Sequence, residues 1–153
     1  MKKIKYFFLP IVLTLAACGG EIKQSQDCID NAQVPQVVQN AFSSKFAGIK
    51  ACWQSKPYGF ESIFTDKGIE YEAEFSSSGQ WLETEYEVGE GQFPATVPQK
   101  VKQEHPGFEI TKREIEITPE GTFYEVEIEG NGTEAELYFD DQGNTSLNTN
   151  EDS

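Results

Sequence analysis

The sequence predicts an α+β fold, with two tandem repeats of a helix followed by antiparallel strands forming one sheet and both helices on one face. First, the chain is written twice. Val34-Pro35, Val38, Phe42 and Phe46-Ala47-Gly48 match Phe93-Pro94, Val97, Val101 and His105-Pro106-Gly107 at an offset of 59. Downstream, "FESIFTDKGIEYEAEFSSSGQ" matches "YEVEIEGNGTEAELYFDDQGN" at an offset of 64, with Gly68 on Gly132, Phe75 on Phe139 and Gly79 on Gly143. Two registers that each hold over several positions mark an internal repeat, and the step between them places about five extra residues early in the second copy. Second, within each copy the apolar period changes from four to two, as it must when a helix gives way to strands. Third, turn residues stand where the period breaks.

The elements follow in order. "MKKIKYFFLPIVLTLAAC" has a charged start, an apolar run and small residues before Cys18, which reads as a secretion signal too short to span a membrane. Leu15-Ala16-Ala17-Cys18 resembles the lipobox of bacterial lipoproteins, which implies removal of 1–17, acylation of Cys18 and a membrane anchor. Gly19 after that cysteine favours outer-membrane sorting. The polar stretch 18–33 reads as a tether. In the first repeat, 34–92, Val34, Val38, Phe42 and Phe46 form one helical stripe, Pro35 suits the first turn and Gly48 the stop. Phe60, Ser62 and Phe64, then Ile69, Tyr71, Ala73 and Phe75, alternate around Asp66-Lys67-Gly68, and Trp81 to Val88 alternates again. The second repeat, 93–147, has Val97 and Val101 on its helix, with Pro98 confined to the first turn. Its strands carry Ile115 and Ile117, then Tyr124, Val126 and Ile128, then Ala135, Leu137 and Phe139, with Asn131-Gly132 as the hairpin turn. Residues 148–153 are a polar tail.

Charge narrows the function. With 26 acidic and 12 basic residues the chain carries a formal −14, and loss of Lys2, Lys3 and Lys5 with the signal makes it −17. Nucleic acid and anionic lipid surfaces are therefore excluded as partners, membrane association being left to the lipid anchor, while cations and basic proteins are admitted. Cys28 and Cys52 would close a loop of about 25 residues in an oxidising compartment, a bridge worth about 3 kcal/mol; two separate thiols are the alternative.

No reaction is legible. The single histidine, His105 in "EHPGF", sits at a helix end, and no G-x-S-x-G, H-E-x-x-H, P-loop or dinucleotide fingerprint occurs, so no cofactor is expected. A carboxylate pair for a hydrolase is guaranteed by composition alone and carries no information. "DDQGN", Asp140 to Asn144, begins like a calcium loop, but its counterpart in the first repeat, "SSSGQ", has no carboxylate, so the shared element is a turn. No metal site is assigned.

The residues do predict one surface. If Tyr124, Val126, Ile128, Leu137 and Phe139 face the helices, then Glu125, Glu127, Glu129, Glu134 and Glu136 face away, joined by Glu114 and Glu116 and, in the first repeat, by Glu70, Glu72 and Glu74. Two readings of this face stand: a solvated surface that maintains solubility and discourages edge pairing, or a docking surface for a basic protein with Trp81, Tyr86 and Tyr138 as aromatic anchors.

The order of a Val-Pro helix ending in aromatic-Ala/Pro-Gly, then strands, then F-x-x-x-G turns at Phe75 to Gly79 and Phe139 to Gly143, resembles the PepSY-like domains related in shape to beta-lactamase inhibitor protein. The resemblance covers about 33 to 145. It implies a tandem α+β layer, an extracytoplasmic setting and a role in binding or inhibiting other proteins, and it carries over no catalytic residue. The expectation is a non-enzymatic envelope lipoprotein that binds a protein through its acidic face. A cation-binding module, calcium included, is the alternative, and a carboxylate-dependent hydrolase comes third.

Overall fold

The computed structural model describes residues 28–146. The expected signal segment, Cys18, the first part of the tether and the polar tail lie outside the described residues. Eight strands form one antiparallel sheet in sequence order: β1 (Cys52–Lys56), β2 (Gly59–Asp66), β3 (Ile69–Ser76), β4 (Trp81–Glu87), β5 (Glu109–Thr118), β6 (Gly121–Gly130), β7 (Thr133–Phe139) and β8 (Thr145–Ser146). Helix α1 (Gln36–Lys45) precedes β1 and α2 (Thr96–Glu104) lies between β4 and β5.

Each helix forms for the reasons its sequence supplies. Pro35 precedes α1 and its carbonyl accepts from Val38 and Gln39, so the missing N–H costs nothing. Pro98 falls in the first turn of α2, as required. Gly48 and Gly107, at φ of +80° and +91°, turn the chain out of the two helices. Val38 and Phe42 on α1, and Val97 and Val101 on α2, are buried against the sheet.

The sheet is single but the core is double. Val34, Val38 and Phe42 pack with Trp53, Phe64, Ala73 and Phe75, while Phe93, Val97 and Val101 pack with Val88, Val126, Ile128 and Phe139. Tyr71 and Tyr86, whose rings lie 4.9 Å apart, join the two clusters. Phe42 is the centre of the first: its ring meets Phe46, Trp53, Phe64 and Phe75 at centroid distances of 5.2 to 6.2 Å. Burying such a ring contributes about 2–3 kcal/mol, with edge-to-face contacts adding to it.

The repeated F-x-x-x-G has a packing cause. Phe75 and Phe139 enter the two cores, and Gly79 and Gly143, at φ of +82° and +80°, close the following turns beneath the helix starts. A Cβ on Gly79 would lie 2.9 Å from the Val37 carbonyl oxygen, and one on Gly143 would lie 3.1 Å from the Thr96 Cβ. The extra residues of the second copy lengthen one hairpin: the offset grows from 59 at Gly48 and Gly107, to 62 at Gly59 and Gly121, to 64 at Gly68 and Gly132. β8 is the short counterpart of β4, and β1, which the sequence did not announce, is the counterpart of β5.

The last part of the stretch read as a tether is fastened to the sheet. Cys28 is bonded to Cys52, the Ile29 N–H donates to the Trp53 carbonyl, and Asp30 caps a short 3₁₀ turn at Asn31–Gln33.

Candidate functional site

The face of the sheet away from the helices is built by strict alternation, interrupted twice. On β2, β3, β5 and β6 it presents Glu61; Glu70, Glu72 and Glu74; Lys112, Glu114 and Glu116; and Glu125, Glu127 and Glu129. A bulge between Ile110 and Lys112 rotates Ile110 into the second core while leaving Lys112 among the glutamates. A second bulge, between Glu74 and Phe75 on the β3 side, pairs Phe75 with Trp81.

That second bulge corrects one expectation. Plain alternation puts Trp81 on the side of Glu83 and Glu85, but the extra residue, Leu82, turns Trp81 onto the helix side. There its indole N–H donates to Thr84 and its ring lies under the Lys45 ammonium, 3.2 Å from the centroid. Tyr86 also packs on the helix side, against Tyr71 and the second core, because it has the opposite parity to Glu85 and Glu87. Tyr86 also borders the acidic opening between β3 and β4, but Trp81 does not stand among the carboxylates. Tyr138 does: it is buried and hydrogen-bonded to Glu125, its partner across β6 and β7.

The carboxylates meet in cross-strand rows. Glu61 faces Glu74, which faces Glu83; Glu72 faces Glu85, which faces Glu116; Glu87 faces Glu114, which faces Glu125. Toward the far hairpin Lys112 faces Glu127, which faces Glu136, and Glu129 faces Glu134. The four glutamates of β4 and β2 in these rows, Glu61, Glu83, Glu85 and Glu87, were not drawn from the sequence, although the alternation in "WLETEYEV" carried three of them.

This face is not uniformly solvated. Among the described residues no helix covers it, yet Glu74, Glu83, Glu114, Glu116 and Glu125 are 3 to 8% exposed, as is Glu61 at 4%. Their side chains wall one another, since cross-strand neighbours stand about 5 Å apart. Glu70, Glu129, Glu134 and Glu136 are exposed at the rim, and Glu72 and Glu127 are half-buried.

Burial and like charge shift the central groups in one direction. Desolvation first, then Glu114, Glu125 and Glu72, push Glu85 up to about 9. Desolvation and Glu114 push Glu125 up to about 7, against the opposing bond from Tyr138. Burial likewise raises Glu72, Glu114 and Glu116. Lys112 stands 2.8 Å from Glu114 and 3.8 Å from Glu127, and Lys56 2.9 Å from Glu61 at the β1 edge. Tyr58 donates to Glu74.

One end of the face opens into a cleft. β3 and β4 pair only as far as Glu72 and Glu85, after which β4 continues along β5 and β3 continues along β2. The strands part, leaving about 630 Å³ bordered by Glu70, Glu72, Glu85, Tyr86, Glu87 and Lys112. A surface of this kind accepts cationic and hydrogen-bond-donating groups.

Other candidate chemistry has a structural use. His105 ends α2, its N–H donating to Val101 and its ring packed 5.9 Å from Phe108. The Asp140 carboxylate accepts from the Gln142 and Asn144 N–H groups and the Asn144 side chain, closing the turn before β8. Among the described residues no group of three or more His, Cys, Asp or Glu is arranged to hold a metal ion, and no helix is long and apolar enough to cross a membrane.

Several solved structures share the fold. A DUF2874 family protein from Bacteroides uniformis matches with a TM-score of 0.66 at 17% identity, covering 72% of this chain and 85% of its own. A BLIP-like protein from Bacteroides fragilis matches at 0.61 and 23% identity, over 74% and 83%. A Bacteroides eggerthii protein, described as one of the "putative periplasmic proteins", matches at 0.62 and 16%, over 73% and 85%. At these identities the likeness is one of fold. No curated protein is similar to the chain. Residues 58–146 match the family described as "Putative beta-lactamase-inhibitor-like, PepSY-like". That match spans more than half of the chain, from β2 to β8, and the chain belongs to the PepSY-like family.

Proposed function

We propose that this chain is a non-enzymatic module of the bacterial cell envelope, held by a lipid on Cys18, that binds a basic protein on the uncovered acidic face of its sheet. The observation that carries the reading is the desolvation of carboxylates on a face that, among the described residues, no helix covers. Glu85, Glu114, Glu116 and Glu125 bear the cost of burial and mutual repulsion, with Lys112 bonded to Glu114. A surface kept only for solubility would place its charges in water, where like-charge pairs cost a few tenths of a kcal/mol each. Cationic side chains entering the rows and the cleft beside Glu72 and Glu85 would replace repulsion with charge-assisted hydrogen bonds.

The family's inhibitor-like description and the extracytoplasmic description of the Bacteroides eggerthii relative support a binding role outside the cytoplasm. The exposed rim of Glu70, Glu129, Glu134 and Glu136 would steer such a partner and make capture salt-sensitive. The test is capture from detergent-solubilised envelope, comparing the wild type with a variant carrying Glu72→Gln, Glu85→Gln, Glu114→Gln and Glu125→Gln. A partner retained by the wild type, released by salt and lost with the variant supports the proposal. Equal capture by both rejects it.

A further inference from the structure

We propose that the open edge of β7, from Thr133 to Leu137, is a strand-addition site that takes an extended segment of a partner protein in which Lys or Arg alternates with apolar residues. β7 pairs on one side with β6 over its whole length, but on the other β8 reaches only Tyr138 and Phe139. β3, its counterpart in the first repeat, is joined by β4 from Glu72 to Phe75, the equivalents of Glu136 to Phe139. The two-residue turn makes Gly130 and Thr133 the closing hydrogen-bonded pair of the β6–β7 hairpin. By alternation Ala135 and Leu137 also bond to β6, while Glu134 and Glu136 turn their N–H and C=O groups outward. Among the described residues no strand meets them there, and Glu134, Ala135 and Glu136 are exposed.

The two edges of the sheet are guarded differently. At the β1 edge the chain supplies its own partner, Ile29, which bridges Trp53 beside the Cys28–Cys52 bond. β7 has no proline and no bulge in its pairing with β6, so its guard is charge. That charge selects the occupant. In an antiparallel pair of two β7 strands centred on Ala135, Glu134 of each copy would face Glu136 of the other, and like charges directly opposite oppose pairing.

A basic strand reverses that sign. Its Lys or Arg side chains would stand beside Glu134 and Glu136, next to a hollow of about 550 Å³ lined by Glu127, Glu129, Glu134 and Glu136 with Thr111, Ile128 and Ala135. Lys112 borders this corner from within, 3.8 Å from Glu127. The residues between would fall on the helix side, where Leu137 packs against the second core, so apolar side chains suit them. Main-chain hydrogen bonds would supply affinity and the alternating side chains specificity. This mode goes beyond docking on the central rows and does not require it, since β7 can accept a strand while Glu85 and Glu125 stay free.

The test is amide hydrogen exchange of the full chain, read at Glu134 and Glu136, with a synthetic peptide in which Lys alternates with Val. Without peptide both amides should exchange as unprotected groups, and with peptide at about ten times its Kd both should slow about tenfold. The same peptide methylated at every backbone nitrogen keeps its charge but cannot pair, and should slow neither. A peptide alternating Glu with Val should also fail. Protection already present in the free chain, no slowing with the Lys peptide, or equal slowing with its methylated form overturns the proposal. Slowing at Glu134 and Glu136 with the Glu85 and Glu125 carboxyls unmoved supports strand addition without the central docking reading. Shifts at those carboxyls with the β7 amides unchanged support the central reading and overturn strand addition.

Discussion

Gly79→Ala tests why the F-x-x-x-G turn occurs twice. Gly79 has a φ of +82°, a region in which an L side chain costs about 1–2 kcal/mol. Its new Cβ would also lie 2.9 Å from the Val37 carbonyl oxygen and 3.0 Å from the Val37 Cγ2. The Val37 side chain is 49% exposed and can turn away, but the carbonyl belongs to the first turn of α1 and cannot. The helix must lift or the turn must open, loosening Val38 and Phe42 against the sheet. A loss of about 2–4 kcal/mol is expected, after a gain of a few tenths from restricting the unfolded chain. Gly48→Ala is the control, with the same backbone strain at +80° and nothing within 4 Å of the new methyl. It should lose only about 1 kcal/mol. Urea denaturation of both variants, with slopes compared, measures the difference. If Gly79→Ala loses no more than Gly48→Ala, the close approach to α1 is not what the glycine serves.

Three further outcomes are expected. Replacing Cys28 and Cys52 by serine, or reducing their bond, should lower stability by about 3 kcal/mol and free Ile29 from Trp53, read by the thermal midpoint and by exchange at the Ile29 amide. Phe42→Ala removes the ring at the centre of the first core and should cost about 3–5 kcal/mol in denaturation, with the first repeat losing its near-ultraviolet aromatic signal before the second. Lys112→Met removes the cation bonded to Glu114. Burial lowers the Lys112 pKa, but the bonds to Glu114 and Glu127 outweigh it and hold the ammonium charged. The variant should lose about 1 kcal/mol near pH 8 and less near pH 5, where the carboxyls around it take up protons; an equal loss at both would remove Lys112 from the electrostatic account.

The architecture was legible because the repeats reinforce each other. Helix stripes, alternation and the Gly68 and Gly132 turns all point to one sheet with one covered face, and the φ of those glycines, +84° and +74°, is what the hairpins require. The side of the sheet taken by Glu70, Glu72, Glu74, Glu114, Glu116, Glu125, Glu127 and Glu129 followed from parity alone. The side taken by Trp81 was not legible because a bulge reverses parity without leaving a mark in the pattern, while Tyr86 packs inward by its own parity and still borders the acidic cleft. Glu83, Glu85 and Glu87 lie on the strand that the alternation from Trp81 to Val88 predicts, so their side was legible there. The burial of the central carboxyls could not be read, because it depends on how closely side chains from four strands crowd together. β8, at two residues, carries too short a pattern to detect.

The central claim is that the acidic face is a docking surface. Its most direct test is carboxyl and amide NMR mapping on the labelled chain, titrated with the protein it captures from the envelope. The account predicts that the perturbed positions are Glu72, Glu85, Glu114 and Glu125 with their strand neighbours, and that they recover when salt is added. Perturbations confined to α1, α2 or the outer edge of β7, with the glutamates unmoved, would contradict it.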